Sequence, residues 1–247
     1  MNLDLIDTIY LKDIDKVKLM NRVDTKYWFH TNALPKILDW AREFYYVLEI
    51  NEKKVLSYST TYYDTALNSM YIAHHNGKLN RFKIRHRTYL ESGISFLEIK
   101  KKSNKGRTVK SRIPSSADVE NFTNEEALFL DENCPFTSDE LSPSIQNRFS
   151  RITLVSKNLD ERCTIDMDLH FYTDKQVLEL DKLAIIEIKT DGLPSSSPLR
   201  EYLLKMGIKK SGFSKYCIGR AMSSSNIKNN SFKHTIRKVN KTLCTPA

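Results

Sequence analysis

The chain has 247 residues, 40% of them hydrophobic, with seven glycines and seven prolines. That composition excludes a disordered or low-complexity protein and leaves room for a sizeable core. Lys and Arg outnumber Asp and Glu by 39 to 30, a formal charge of +9, which points to an anionic partner such as nucleic acid, a membrane surface or phosphate. Cys134, Cys163, Cys217 and Cys244 form no CxxC pair, which argues against a zinc site or disulfide framework and for a reducing, cytoplasmic setting. The N-terminus is acidic early and lacks an apolar run, unlike a signal peptide. No stretch approaches the roughly 18 apolar residues of a spanning helix, so no direct membrane insertion is expected.

In chain order, residues 1–20 read as a helical segment, a short amphipathic helix or pair of turns, with Leu3, Ile6, Ile14, Val17 and Met20 near helical spacing. RVDTKYWFH (22–30) reads as a strand. Thr31 or Asn32 caps a helix that runs to about Phe44 and buries Leu34, Ile37, Leu38 and Ala41. Strands are predicted at 45–50, 55–64, 69–75, 79–91, 94–103 and 107–113, separated by turn signals including Asn76–Gly77, with His74 and His75 flanking that hairpin. Residues 115–148 read as one or two helices, TNEEALFLDEN and then SPSIQNRF. Strands resume at 149–157, 161–171, 175–180 and 183–190, followed by a loop at 191–198 and a helix at 198–206. FSKYCI (213–218) closes a domain of residues 1–222. The basic polar tail, 223–247, is either disordered or a docked helix.

Strand parity places the charges. In RFKIRHRTY, Arg81, Lys83, Arg85 and Arg87 share one face, and Phe82 and Ile84 the other. Such a run normally faces water. The neighbouring strands repeat the pattern, however. Glu98, Lys100 and Lys102 oppose Leu97 and Ile99; Lys110 and Arg112 oppose Val109 and Ile113. Arg162, Thr164, Asp166, Asp168 and His170 oppose Cys163, Ile165, Met167 and Leu169, while Glu187 and Lys189 oppose Ile186 and Ile188. Either an open sheet shows this face to water or nucleic acid, or a barrel turns it inward around an anion and packs helices outside. Phosphate oxygens would satisfy Arg forks and Lys ammonium groups there.

Eight segments in order, RVDTKYWFH, STTYYDT, RFKIRHRTY, FLEIKKK with GRTVKSR, FSRIT, RCTIDMDL, IIEIK and FSKYC, span about residues 20–220. Together they resemble the VTC domain of polyphosphate polymerases, within the triphosphate tunnel metalloenzyme (CYTH-like) superfamily. The resemblance implies an α+β fold, a closed antiparallel eight-stranded β-barrel with helices outside. It implies transfer of the γ-phosphate of ATP onto inorganic polyphosphate with Mn²⁺ or Mg²⁺. By motif position it implies Lys26 near the acceptor end, Arg85, Arg87 and Lys100 on phosphates, Arg151 and Arg162 from later strands, Lys215 on the wall, and Glu187 as metal ligand. Parity adds Lys83, Lys102, Lys110, Arg112 and Lys189 as further phosphate contacts.

Two departures stand out. Phe149 occupies a position where Tyr is frequent, and the first strand carries Asp24 and Lys26 instead of the ExExK pattern of hydrolytic relatives. Fewer carboxylates favour phosphoryl transfer over water activation. A tripolyphosphatase or nucleoside triphosphatase of the same fold remains an alternative, as does a non-enzymatic polyphosphate or nucleic-acid binder. Nucleic acid is not the expected ligand, and any export of the product would need a membrane-protein partner.

Overall fold

The computed structural model describes residues 2–14, 22–116, 119–191 and 197–244. Its strands are β1 (Thr8–Tyr10), β2 (Arg22–His30), β3 (Tyr45–Glu49), β4 (Leu56–Thr65), β5 (Arg81–Tyr89), β6 (Ile94–Lys102), β7 (Thr108–Ser115), β8 (Leu141–Ser156), β9 (Glu161–Tyr172), β10 (Val177–Leu180) and β11 (Leu183–Asp191). The helices are a single turn α1 (Leu11–Ile14), then α2 (Leu34–Phe44), α3 (Ser69–His75), α4 (Asn124–Asn133), α5 (Pro198–Lys205), α6 (Lys215–Ser223) and α7 (Lys233–Leu243). Of the helix or pair of turns expected over the first 20 residues, the described part holds two single turns, a 3-10 turn and α1, separated by β1; residues 15–20 of that segment, and 192–196 of the expected loop, lie outside the described residues.

Eight antiparallel strands run in the order β2-β11-β9-β8-β4-β5-β6-β7, and β1, β3 and β10 attach to them. This corrects the closed barrel: among the described residues β7 does not pair with β2, and the sheet is open with eleven strands. Instead, Ser211 N–H donates to the Lys26 carbonyl (2.9 Å), so the segment after α5 lies along β2. The sheet still curls. Lys100 on β6, next to last in the order, is close enough to depress the pKa of Lys26 on the first strand.

The apolar parity set packs on the convex side. Tyr27, Phe29, Ile165, Ile186 and Ile188 meet Ile37, Leu38 and Ala41 of α2 and Leu199 and Leu203 of α5. Ile84, Leu97 and Ile99 meet Leu130 of α4. Part of the concave side is apolar too: Trp28, Tyr58, Tyr62, Phe149 and Ile185 receive Tyr216, Cys217, Ile218 and Ala221 of α6 and Val239 of α7.

Three local expectations differ. Residues 69–75 form α3, because the carboxylate of Asp64 accepts the Met70 and Tyr71 amides (2.9 Å each) from outside the helix. Asn76–Gly77 then ends that helix instead of turning a hairpin: Gly77 has φ 69° and its N–H reaches the His74 carbonyl. SPSIQNRF is the first half of β8. Pro143 sits where the β4–β8 register shifts between Tyr62 and Tyr63, a bulge at which a missing N–H is tolerated. A second bulge, at Asp168 (φ 53°), breaks the parity of β9. Beyond it Leu169 and Phe171 join the concave cluster, and His170 pairs with Asp181 (2.6 Å).

Candidate functional site

The cations of the concave face gather around three carboxylates. On β6, Glu98 is 1% exposed and accepts Arg85 Nε (2.7 Å) and Lys110 Nζ. On β9, Asp166 accepts Arg151 Nε and Nη2 (2.6 and 2.9 Å) and Lys215 Nζ. On β11, Glu187 accepts Lys26 Nζ and lies 3.3 Å from Lys189. Strand register accounts for part of the grouping: Glu98 stands opposite Arg85, Asp166 opposite Arg151 and Glu187 opposite Lys26, while Lys110 reaches Glu98 diagonally from its place opposite Lys100. Lys215 arrives differently, at the first position of α6, where Ser214 caps the helix by accepting Cys217 N–H.

Six cations on three carboxylates leave a surplus, and the titration shifts report it. Burial pushes Lys26 down to about 7, helped by Lys189, Lys100 and Lys215. Burial likewise takes Lys189 to about 7, with Arg151 and Arg162 adding to it, and Lys215 to about 8. Burial would raise Asp166, but Arg151 and Lys215 outweigh it and hold the carboxyl below the usual range.

Arg87 is the sharpest case. It is 7% exposed, its hydrogen-bond acceptor is Thr60 Oγ1 (3.3 Å), and it has no carboxylate ion pair among the described residues. Burial, then Arg85 and Arg151, lower its pKa to about 10. Its guanidinium lies over the rings of Tyr58 and Phe149 (5.6 and 5.7 Å). Phe149 also receives Arg151 (5.2 Å) and Lys215 (4.1 Å), so the ring supplies cation–π contacts where a tyrosine would add a hydroxyl.

The remaining residues ring this centre. Lys83 donates to Ser214 Oγ (3.0 Å), and Lys100 neighbours Lys26. Arg162 sits beside Lys189. Lys102 stands at one mouth with Lys83 and Arg81, where all three depress His74. Arg112 is exposed on the edge strand, over the Phe96 ring (4.5 Å). Sequence reasoning missed Thr60 and Tyr62. The Tyr62 hydroxyl bonds Arg85, and although burial alone would raise its pKa, Arg85, Arg87 and Lys215 lower it. The alternation Tyr58, Thr60, Tyr62 on β4 was the available signal, but aromatic strand residues are ordinarily core.

The VTC domain model matches residues 21–224. The chain belongs to the VTC domain family. No curated protein matches it. Among solved structures it is similar to a Hippeastrum protein described as an adenylyl cyclase with a dominant triphosphatase activity (14% identity, 81% of this chain and 96% of that one, TM-score 0.51). It also matches a Vibrio parahaemolyticus protein assigned as an adenylate cyclase (11%, 81% and 97%, TM-score 0.48). The fold is shared with that Hippeastrum protein. No helix among the described residues is long and apolar enough to cross a membrane.

Proposed function

We propose that this VTC domain is a polyphosphate polymerase, transferring the γ-phosphate of ATP onto a growing inorganic polyphosphate chain. The observation that carries the reading is Arg87, a buried guanidinium without a carboxylate partner among the described residues, facing a basin of surplus positive charge. A buried, unpaired cation is costly unless a ligand compensates it, and a string of phosphates supplies one negative charge per link.

In this reading Arg85, Arg87, Lys100, Arg151 and Arg162 hold the triphosphate. Lys26 and Lys215 orient the terminal phosphate of the acceptor chain, one oxygen of which attacks the γ-phosphorus in line. The bond to the β-phosphate breaks and ADP leaves with the electron pair. Phosphoryl transfer of this kind needs positioning and charge stabilisation instead of a covalent nucleophile. Lys83, Lys102, Lys110, Arg112 and Lys189 line the path of the chain.

Among the described residues no group of three or more His, Cys, Asp or Glu could hold a metal alone. The donor chemistry does fit a Mg²⁺ or Mn²⁺ shared with phosphate: Glu187 offers oxygen ligands and is held by lysines, which phosphate oxygens can take over. Glu187 would hold the ion, which when bound neutralises developing charge on the phosphates.

Incubation with ATP and Mn²⁺ followed by sizing of the products tests the reading. Long chains with stoichiometric ADP are expected. Orthophosphate without chains would instead favour a triphosphatase, the activity described for the Hippeastrum neighbour. Binding with neither product would mark a non-enzymatic binder.

A further inference from the structure

Residues 223–247 contain five Lys and Arg and no Asp or Glu. Within them α7 anchors one side, with Val239 fully buried against the concave cluster. Its other side exposes Lys233, His234, Arg237 and Lys238 along roughly 8 Å of helix. Beside it runs a groove of about 420 Å³ where Lys233, Arg237, Asn229 and Asn240 surround an apolar floor of Ala221, Met222 and Ile236.

This face is joined to the cationic mouth. Phe232, immediately before α7, stacks on His74 (6.0 Å, 21°), and Ser231 N–H donates to His75 Nε2 (3.2 Å). His74 is the ring under the influence of Lys83, Arg81 and Lys102. Lys228 is exposed and reaches Asn76 at the end of the same helix α3 (3.4 Å). Positive charge therefore continues from the mouth, past α3, onto α7.

We infer that the exposed face of α7, with Lys228, is an outer track for polyphosphate, binding the distal part of a chain whose near end lies in the concave site. The inference deepens the polymerase reading and rests on it for the chain's origin. Polyphosphate fits better than a membrane because Lys233 and Arg237 line a groove together with Asn229 and Asn240, whose side-chain amides add hydrogen-bond donors for phosphate oxygens.

The test compares the full chain with a variant carrying Lys228→Gln, Lys233→Gln, Arg237→Gln and Lys238→Gln. Each is titrated with long-chain polyphosphate and with tripolyphosphate across a salt series. Long-chain affinity should weaken at least tenfold, with the salt slope shrinking by roughly 3, at about 0.7 per lost contact on a single-stranded polyanion. Tripolyphosphate binding should stay unchanged, and a variant with arginine at the three lysine positions should keep long-chain affinity. Unchanged long-chain affinity, or equal loss for both ligands, overturns the track. So does loss of binding to phosphatidylserine vesicles with long-chain affinity intact, which would make the face a membrane surface. The two readings separate: a wild-type chain that yields no polymer from ATP, yet shows the α7-dependent long-chain component, sinks the polymerase and leaves the track standing.

Discussion

The Tyr216 hydroxyl donates to Oδ2 of Asp64, tying the helix that carries Lys215 to the start of α3. Asp64 is 1% exposed and also accepts the Met70, Tyr71 and Thr65 amides. Asp64→Ala should cost about 3 kcal/mol or more, since several buried donors lose their acceptor. Tyr216→Phe should cost only about 1 kcal/mol. Urea unfolding of both variants checks the ranking; equal costs would mean that Asp64 is not the anchor.

Gly219 sets how deeply α6 sits. A Cβ there would stand 2.5 Å from Cδ1 of Phe171 and 3.1 Å from Cδ1 of Ile145. Both are well-packed core side chains, so Gly219→Ala must shift the helix or the ring, at about 1–3 kcal/mol. Because Lys215 is one turn away on the same helix, tripolyphosphate affinity should drop along with stability. Gly219→Ala combined with Phe171→Leu should recover both. Failure of that rescue would contradict the packing assignment.

Acid should unfold the protein in two stages. Burial, aided by Lys83, Arg81 and Lys102, lowers His74 from 6.5 to about 3. Burial opposes ionisation of Glu98, but Arg85, Arg87 and Lys110 prevail and take it from 4.5 to about 2. Both pKa values are lower in the folded state, so the unfolded chain binds the extra protons and stability falls with falling pH. These two groups together remove about 1.4 kcal/mol per pH unit between 6.5 and 4.5, and about 2.7 per unit from 4.5 to 3. Urea midpoints across pH measure the slopes. His74→Gln should flatten the upper segment and Glu98→Gln the lower; an unaltered profile in either would refute that group's share.

Glu187→Gln removes the carboxylate proposed to hold the ion while keeping the side chain's shape. Metal-dependent transfer should fall by at least 100-fold, roughly the worth of 3 kcal/mol of transition-state stabilisation. Added Mn²⁺ should no longer increase the thermal stabilisation given by ATP. A variant that makes polyphosphate at the normal rate would remove Glu187 from the metal site.

Much of this was legible in the sequence because strands have a period of two. Arg85, Lys100 and Glu187 could be assigned to one face without coordinates, and that face is where they meet Lys26 and Arg151, which only the family resemblance had suggested. What failed were places where parity is interrupted. The bulge at Asp168 turned His170 outward, and the one at Pro143 let a proline lie within β8. Helix α3 was misread because its cap, Asp64, stands five residues before its first turn. Barrel closure was not legible either, since it depends on whether two strand edges far apart in the chain meet, and here Ser211 reaches the β2 edge instead.

Arg87 gives the most direct test of a site built for a ligand. Its pKa, depressed to about 10, means that the folded protein holds this charge at a cost. Arg87→Met should therefore raise the stability of the ligand-free protein, by on the order of 1–3 kcal/mol. The same change should abolish stabilisation by ATP or tripolyphosphate, because this guanidinium, only partly offset by Glu98, is what the phosphates are proposed to satisfy. Thermal unfolding with and without tripolyphosphate reads both effects in one experiment. A variant that is less stable alone and still stabilised by tripolyphosphate would show that Arg87 is a structural residue, held by Thr60 and its aromatic neighbours.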